Sequence, residues 1–274
     1  MTCSPRTRLA SVRPLVRYVD HDQAVIEAHF TTLPAVSLPS PIAGVKPSGG
    51  RVVDVEVEVD GSDGFHDEGR TRVTLDDHRG RVRFEMVRPR RWWPAGMGEQ
   101  ALYRLTLTLD EGEHGRDARA VTFGLTSVRR DRVLGEAFDP SLLVNGQICD
   151  IDAVIPVDRV HESGLLPAAG DSLLLVRDHY GPNVLYDAAD RAGILLIQCV
   201  PVPSSPPASS FKAADHEDVE RTVVDHVARL SAHPSLAGYF VGHLGALTER
   251  VAAALRACDP TRPVFRRYPL YDAA

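Results

Sequence analysis

The chain is predicted to fold as two units: an immunoglobulin-like β-sandwich followed by a parallel α/β sheet. Three observations carry this prediction. Apolar residues recur every second position from Val12 to about Val128. Both tryptophans fall in one corner of that region, Arg91-Trp92-Trp93-Pro94-Ala95-Gly96-Met97-Gly98-Glu99-Gln100-Ala101-Leu102-Tyr103. Beyond Asp131 the pattern changes to short apolar runs alternating with helix-spaced segments, the pattern of a parallel sheet with helices packed on it.

In the first unit, Ala24 to Phe30 is a short, partly alternating strand. A loop rich in Pro, Ser and Gly follows from Pro34 to Gly50. Val52 to Val59 alternates cleanly, with Val53, Val55, Val57 and Val59 on one face. Asp60 to Gly64 is a turn, and Arg72–Leu75 and Val82–Met86 are strands around the turn Asp76–Gly80. The tryptophan corner leads into the strand Leu102–Leu109, and Ala118–Val128 closes the set. About seven short strands with turns between them predict a sandwich. Charged residues at alternate positions mark its solvated outer face.

In the second unit, Leu143-Val144-Asn145-Gly146 reads as a hairpin-type turn and nothing more. A strand is predicted over Ile148–Val157. Leu173–Val176 and Ile194–Ile197 are continuous apolar runs, as expected of strands buried on both faces. Val184–Ala192 has helical spacing and stops at Gly193. Asp215–Ala232 is an amphipathic helix with Val219, Val223, Val227 and Leu230 on one stripe. Leu236–Val241 is a strand, Leu247–Cys258 a helix, and Pro263-Val264-Phe265 starts a last strand. The expected organisation is an N-terminal tail over 1–11, the sandwich over 12–130 and the α/β unit over 131–274.

Composition narrows the function. The chain has 274 residues, 43% hydrophobic and 25% charged, with a formal net charge of −6. This balance argues against a nucleic-acid partner, which would require a basic surface. No apolar run spans a bilayer, so no membrane partner is expected. The first residues lack a signal-peptide core, and a cytoplasmic location is expected. Cys3, Cys149, Cys199 and Cys258 form no CxxC pair, so neither a disulfide framework nor a zinc site is expected.

The tryptophan corner resembles the sandwich signature of glycoside hydrolase family 2, the family of β-galactosidases, β-mannosidases and β-glucuronidases. Phe123-Gly124-Leu125-Thr126 resembles that family's exit strand. Val144-Asn145-Gly146 through Ile155-Pro156-Val157-Asp158 resembles the start of its barrel. Arg177, Tyr186-Asp187, Asp190 and Gly193-Ile194-Leu195 are similar to its second strand and helix. Gln198 fits the position after the third strand in mannosidase-like members. His233-Pro234-Ser235-Leu236 and Asp259-Pro260-Thr261-Arg262-Pro263-Val264 are similar to two further stretches. The resemblance implies that the second unit is a TIM-type β/α barrel. Fewer residues follow Pro140 than the roughly 200 such a barrel needs, so a partial barrel of about half length is expected.

The resemblance also implies where chemistry should lie. The family's acid/base glutamate follows the His-Pro-Ser strand in an Asn-Glu pair, and counting from His233 puts that pair on His243-Leu244. The nucleophile glutamate, near the seventh strand, has no counterpart. Retaining hydrolysis needs two carboxyl groups about 5–5.5 Å apart, so no catalytic residue is assigned. Arg177, Asp178, His179, Tyr180, Gln198 and His243 stand near strand ends, where ligands of such sheets bind, and are the candidate ligand-binding residues. Asp215-His216-Glu217 and Asp225-His226 lack the spacing that places two metal ligands on one helix face, and no metal or cofactor is expected. Trp92 and Trp93 are expected in the core or at the joint between units.

Three functions compete: a non-catalytic relative that binds carbohydrate or a protein partner, an active glycosidase with relocated carboxylates or a completing partner chain, and a scaffold without sugar ligand. A half barrel has open edges, so a homodimer or another chain is the expected cover.

Overall fold

The computed structural model describes residues 7–33, 51–62, 64–112, 115–130, 142–157, 172–177, 179–201, 213–241 and 247–265. The first part holds seven strands: β1 (Arg8–Val19), β2 (Gln23–Leu33), β3 (Val52–Gly61), β4 (His66–Thr74), β5 (Arg79–Val87), β6 (Leu102–Asp110) and β7 (Arg116–Gly124). They form an antiparallel sheet in the order β1-β2-β5 and another in the order β4-β3-β6-β7. The alternation in β3 does what its valines predict: Val53, Val55, Val57 and Val59 are all buried. They share one core with Ala24, Ile26, Ala28 and Phe30 of β2 and Leu105, Leu107 and Leu109 of β6.

Several strands extend beyond their sequence expectation, β1 and β4 the most. β1 begins at Arg8, so the expected tail boundary at Val12 falls inside a strand. β4 begins at His66, and all its residues except Val73 are exposed. Its sequence, His66-Asp67-Glu68-Gly69-Arg70, has no apolar alternation to announce a strand, and pairing with β3 makes it one.

The middle of the chain forms a small sheet, β10-β9-β8, from β8 (Val128–Arg130), β9 (Leu142–Val144) and β10 (Gln147–Cys149). The turn between β9 and β10 has φ of 51° at Asn145 and 83° at Gly146, the two left-handed positions of a type I′ hairpin. The single strand expected over Ile148–Val157 is two: β10 leaves the hairpin, and β11 (Ala153–Val157) joins a different sheet after Asp150-Ile151-Asp152.

The last part is a five-stranded parallel sheet in chain order, β11, β12 (Ser172–Val176), β13 (Leu196–Cys199), β14 (Leu236–Phe240) and β15 (Val264–Phe265). Three helices connect its strands: α1 (Asn183–Ala192), α2 (Ala213–Leu230) and α3 (Leu247–Cys258). Gly193 ends α1 in the left-handed conformation, φ 72°, with its N–H bonded to the Ala189 carbonyl. The strand expected at Ile194–Ile197 begins at Leu196: the Ile194 N–H still bonds to the Ala189 carbonyl of the helix exit, whereas the Leu195 carbonyl already accepts from Leu174 of β12.

One face of this sheet meets the helices. Leu174, Val176, Leu196, Leu236, Tyr239 and Val241 pack with Leu185, Tyr186 and Ala189 of α1, Val223, Val227 and Leu230 of α2, and Val251 and Leu255 of α3. The apolar stripe of α2 is thus core, although the side chain of Val219 lies outside the described residues. The other face presents Leu173, Leu175, Leu195, Ile197 and Cys199 to Trp92 and the small middle sheet. Among the described residues, no helix is long and apolar enough to cross a membrane.

Candidate functional site

The candidate site lies at the C-terminal ends of the parallel strands. In β12, Leu174 and Val176 face the helices while Leu173 and Leu175 face away. The same alternation carries Arg177, just past the strand, to the face away from the helices. Its backbone N–H still reaches the Val157 carbonyl at 3.4 Å, extending the pairing with β11. Asp178 and His243 lie outside the described residues.

The loop after β12 is pinned from three sides. His179 is buried, and its Nδ1 donates to the Arg177 carbonyl at 2.6 Å. Gln198 Nε2 donates to the His179 carbonyl at 2.9 Å. Tyr180 stacks on His226 of α2 with ring centroids 3.6 Å apart and planes 11° from parallel. Arg229 of α2 donates to the Gly181 carbonyl at 2.8 Å and to the Asn183 side chain. The segment entering α1 is therefore fixed by backbone carbonyls, which side chains from α2 and β13 satisfy.

Gln198 occupies a different position from the one expected. It follows Leu196 on the helix-facing side of β13 and has no exposed surface. Its Oε1 accepts from the Tyr186 hydroxyl of α1, and its Nε2 also donates to the Cys199 carbonyl. Every polar atom of the amide is used inside the fold, so Gln198 braces α1 against β13 and is not part of the crevice wall. His179 is likewise buried in the brace. Of the described candidates, Arg177 and Tyr180 remain half-buried at the rim.

Burial raises the Tyr180 hydroxyl well above the ordinary tyrosine range, with Arg229 opposing weakly. Burial, followed by Arg229, holds His226 below the ordinary histidine value. This pair is therefore neutral, and its contact is a ring stack rather than an ion pair. The described residues directly following β12, β13 and β14 are Arg177, Val200 and Val241, none of them a carboxylate.

A second polar cluster, which sequence reasoning passed over, lies where α1 ends. Asp190 is buried on the face of α1 that also buries Leu185, Tyr186 and Ala189. Its Oδ1 accepts from the Ser235 N–H at 3.0 Å and the Ser235 hydroxyl, and its Oδ2 accepts from His233 Nδ1 at 2.7 Å. The signal was available: an aspartate on the apolar stripe of a helix needs partners. Asp187, Asp190 and His233 hold ligand atoms within 4.8 Å of one another. Both oxygens of Asp190 are already engaged, however, so the arrangement is complete as a hydrogen-bonded node.

The tryptophan corner meets this node. Trp92 is fully buried, and its Nε1 donates to the Asp190 carbonyl at 2.7 Å. Ala95 N–H donates to the Gly193 carbonyl at 2.8 Å. The turn at Asn145-Gly146 has more to do than reverse the chain: Asn145 Nδ2 donates to the Trp92 carbonyl at 2.9 Å, and its Oδ1 accepts from Ser127 N–H at 2.9 Å. The corner is thus a joint between the sandwich and the parallel sheet, one of the two places, core or joint, that the family resemblance implied for Trp92 and Trp93.

Comparison with known proteins supports one lineage. Residues 44–125 match the family model described as glycosyl hydrolases family 2. The exo-beta-D-glucosaminidase of Streptomyces avermitilis is 29% identical over 199 residues, covering 65% of this chain and 22% of that protein. Beta-mannosidase A of Aspergillus aculeatus is 29% identical over 226 residues, covering 73% of this chain and 23% of that protein. Among solved structures, the beta-D-mannosidase from Dictyoglomus thermophilum superposes with a TM-score of 0.72 at 21% identity, covering 95% of this chain and 34% of that one. The chain therefore spans about a fifth of the length of these curated relatives and about a third of that solved chain.

Proposed function

We infer, for a chain that belongs to glycosyl hydrolases family 2, a carbohydrate-recognising unit of the β-mannosidase and exo-β-glucosaminidase type that lacks the family's acid/base carboxylate. One observation carries this reading. His233-Pro234-Ser235 leads directly into β14, and the position where the family places its Asn-Glu pair holds His243-Leu244. Leucine neither donates nor accepts a proton, so protonation of a leaving group in the family manner has no agent there. Arg177, at the rim of β12, is the side chain assigned to hold a sugar, through its planar set of N–H donors.

The five parallel strands in chain order support reading this sheet as the first arc of a β/α barrel, with the seven preceding strands as an immunoglobulin-like sandwich. Within that arc, β11 and β15 each pair on one side only among the described residues. Such edges invite pairing, and we assign their cover to a second copy or to another chain.

A second reading, an active glycosidase whose carboxylates come from a partner chain, draws support from the enzymes this chain matches over about a fifth of their length. One experiment separates the two. The purified chain is offered aryl β-mannosides and aryl β-glucosaminides, and its binding to a glycan array is measured in parallel. The first reading expects no turnover and saturable glycan binding, weakened about tenfold in Arg177→Met, as loss of a charged hydrogen-bonding group would give. Turnover that a single carboxylate substitution abolishes would overturn it in favour of the second.

A further inference from the structure

Among the described residues, β4 and β5 are edge strands of their two sheets. Proteins guard such edges with short strands, bulges, proline or charges that repel a partner. β5 is guarded by charge: Arg79, Arg81 and Arg83 stand at alternate positions, with Glu85 as the one acidic residue of the strand. β4 is less defended. It runs for 9 residues in unbroken register with β3, contains no proline, and is exposed at every position but Val73.

The backbone of β4 is turned in a defined way. The hydrogen bonds at the two ends of the β3–β4 pair, Gly61 N–H to the Phe65 carbonyl and Leu75 N–H to the Arg51 carbonyl, both join odd-numbered residues. Antiparallel pairing alternates, so Asp67, Gly69, Thr71 and Val73 turn their N–H and C=O groups toward β3. His66, Glu68, Arg70 and Arg72 turn theirs to the free edge. The side chains of these four lie on the outer face of the sheet, opposite Asp60, Glu58, Glu56 and Asp54 of β3.

The cross-strand pairs on that face change character along the strand. Asp54–Arg72 and Glu56–Arg70 are opposite charges, each bonded at 3.0 Å. The next pair sets Glu58 against Glu68, like charges directly opposite, which is unfavourable. Glu68 makes no hydrogen bond or ion pair with the described residues. Its cationic neighbours along β4 are engaged elsewhere, His66 with Asp60 at 2.8 Å and Arg70 with Glu56. Glu56 is also shared with Arg116, and the Arg70 side chain is 71% exposed. The edge thus holds an uncompensated carboxylate two residues from an exposed guanidinium whose acceptor is shared.

We propose that β4 pairs with β4 of a second copy of this chain, antiparallel about a twofold axis at Gly69, joining two four-stranded sheets edge to edge. Glu68 of each copy then faces Arg70 of the other, and the free backbone groups of both residues bond across the axis. Gly69 meets Gly69 with no side chain between the strands. Asp67 meets Thr71, whose hydroxyl can donate to it. His66 meets Arg72, each already bonded to its own carboxylate. A slide of two residues either way would set Glu68 against Glu68 or Arg70 against Arg70, so charge selects the register. The contact is self-complementary, as an isologous interface requires.

The test is analytical ultracentrifugation of the full chain. Reversible dimerisation is expected below roughly 1 mM. Glu68→Arg and Arg70→Glu each place like charges at both symmetric positions and should weaken the dimer at least about tenfold. An equimolar mixture of the two variants should form a heterodimer about as tight as the parent dimer, because every like-charge pair becomes an opposite one. Misfolding of either variant would not be rescued by mixing. Three results would each overturn the proposal: a parent chain that stays monomeric at that concentration, single variants that dimerise like the parent, or a mixture that associates no better than its components. The second would place the contact at another edge, such as β11 or β15, and leave the cover assigned to those strands standing.

Discussion

The indole of Trp92 donates its Nε1–H to the main-chain carbonyl of Asp190 at 2.7 Å, linking residues 98 positions apart. One bond therefore joins the sandwich to the last turn of α1. The Asp190 side chain, on the same residue, bonds to Ser235 and His233 ahead of β14. Trp92→Phe keeps most of the buried ring but leaves that carbonyl without its donor. The expected loss is about 1–3 kcal/mol of stability, read as a lowered denaturant midpoint with an unchanged slope.

Asp190→Asn should be more damaging. An amide cannot accept from the Ser235 N–H, the Ser235 hydroxyl and His233 Nδ1 together, and one donor is left facing another. A loss of about 2–4 kcal/mol is expected. Asp187→Asn is the control: Asp187 stands 3.9 Å from the same imidazole with its side chain 46% exposed. Its substitution should stay within about 0.5 kcal/mol of the parent.

Gly193→Ala tests the joint through the backbone. The residue has a φ of 72°, and an added Cβ would lie 2.5 Å from the Ala95 nitrogen. That nitrogen is the donor to the Gly193 carbonyl. The methyl group would both strain the helix exit and push this hydrogen bond apart, at a loss of about 1–3 kcal/mol. Faster amide hydrogen exchange at Ala95 is the specific readout.

Acid should loosen the loop after β12. Burial and Arg229 hold His226 below its ordinary range, so the unfolded chain takes up that proton first as pH falls. The stability carried by neutral His226 is complete above the unfolded value of about 6.5 and declines as pH falls through it toward the folded value. His226→Phe keeps a ring against Tyr180 and removes the titration. Its denaturant midpoint should fall less than the parent's between about pH 8 and about pH 5.5.

Much of this architecture was legible in the sequence, for identifiable reasons. The four inward valines of β3, the Leu102–Asp110 alternation and the apolar runs of β12 and β14 depend on local periodicity, which a single chain displays. The helices followed from spacing and from Gly193. What escaped depended on neighbours distant in sequence. β4 is a strand because β3 and its register make it one, not because Asp67-Glu68-Gly69-Arg70 favours it. Gln198 looked like a ligand residue at a strand end. Alternation puts it on the same face as Leu196, but which face of the sheet meets the helices depends on partners such as the Tyr186 hydroxyl, which local periodicity does not display. The Asp190 node was overlooked because its partners, His233 and Ser235, lie more than forty positions away.

The order of strands also bears on how the chain acquires its structure. In the sandwich, β2 must wait for β5 and β3 for β6, so the two sheets close only when most of that region has been made. In the parallel sheet each strand pairs with the one immediately before it, and growth can proceed one β/α unit at a time, as in a repeat array. Synthesis delivers the sandwich first. By the time α1 emerges, the backbone of the corner can already be tied to the sandwich through the Trp92 N–H and the Leu125 carbonyl, while the indole gains its packing as Leu195 and Ile197 arrive. On this view the tryptophan corner is the seeding surface from which the parallel sheet propagates.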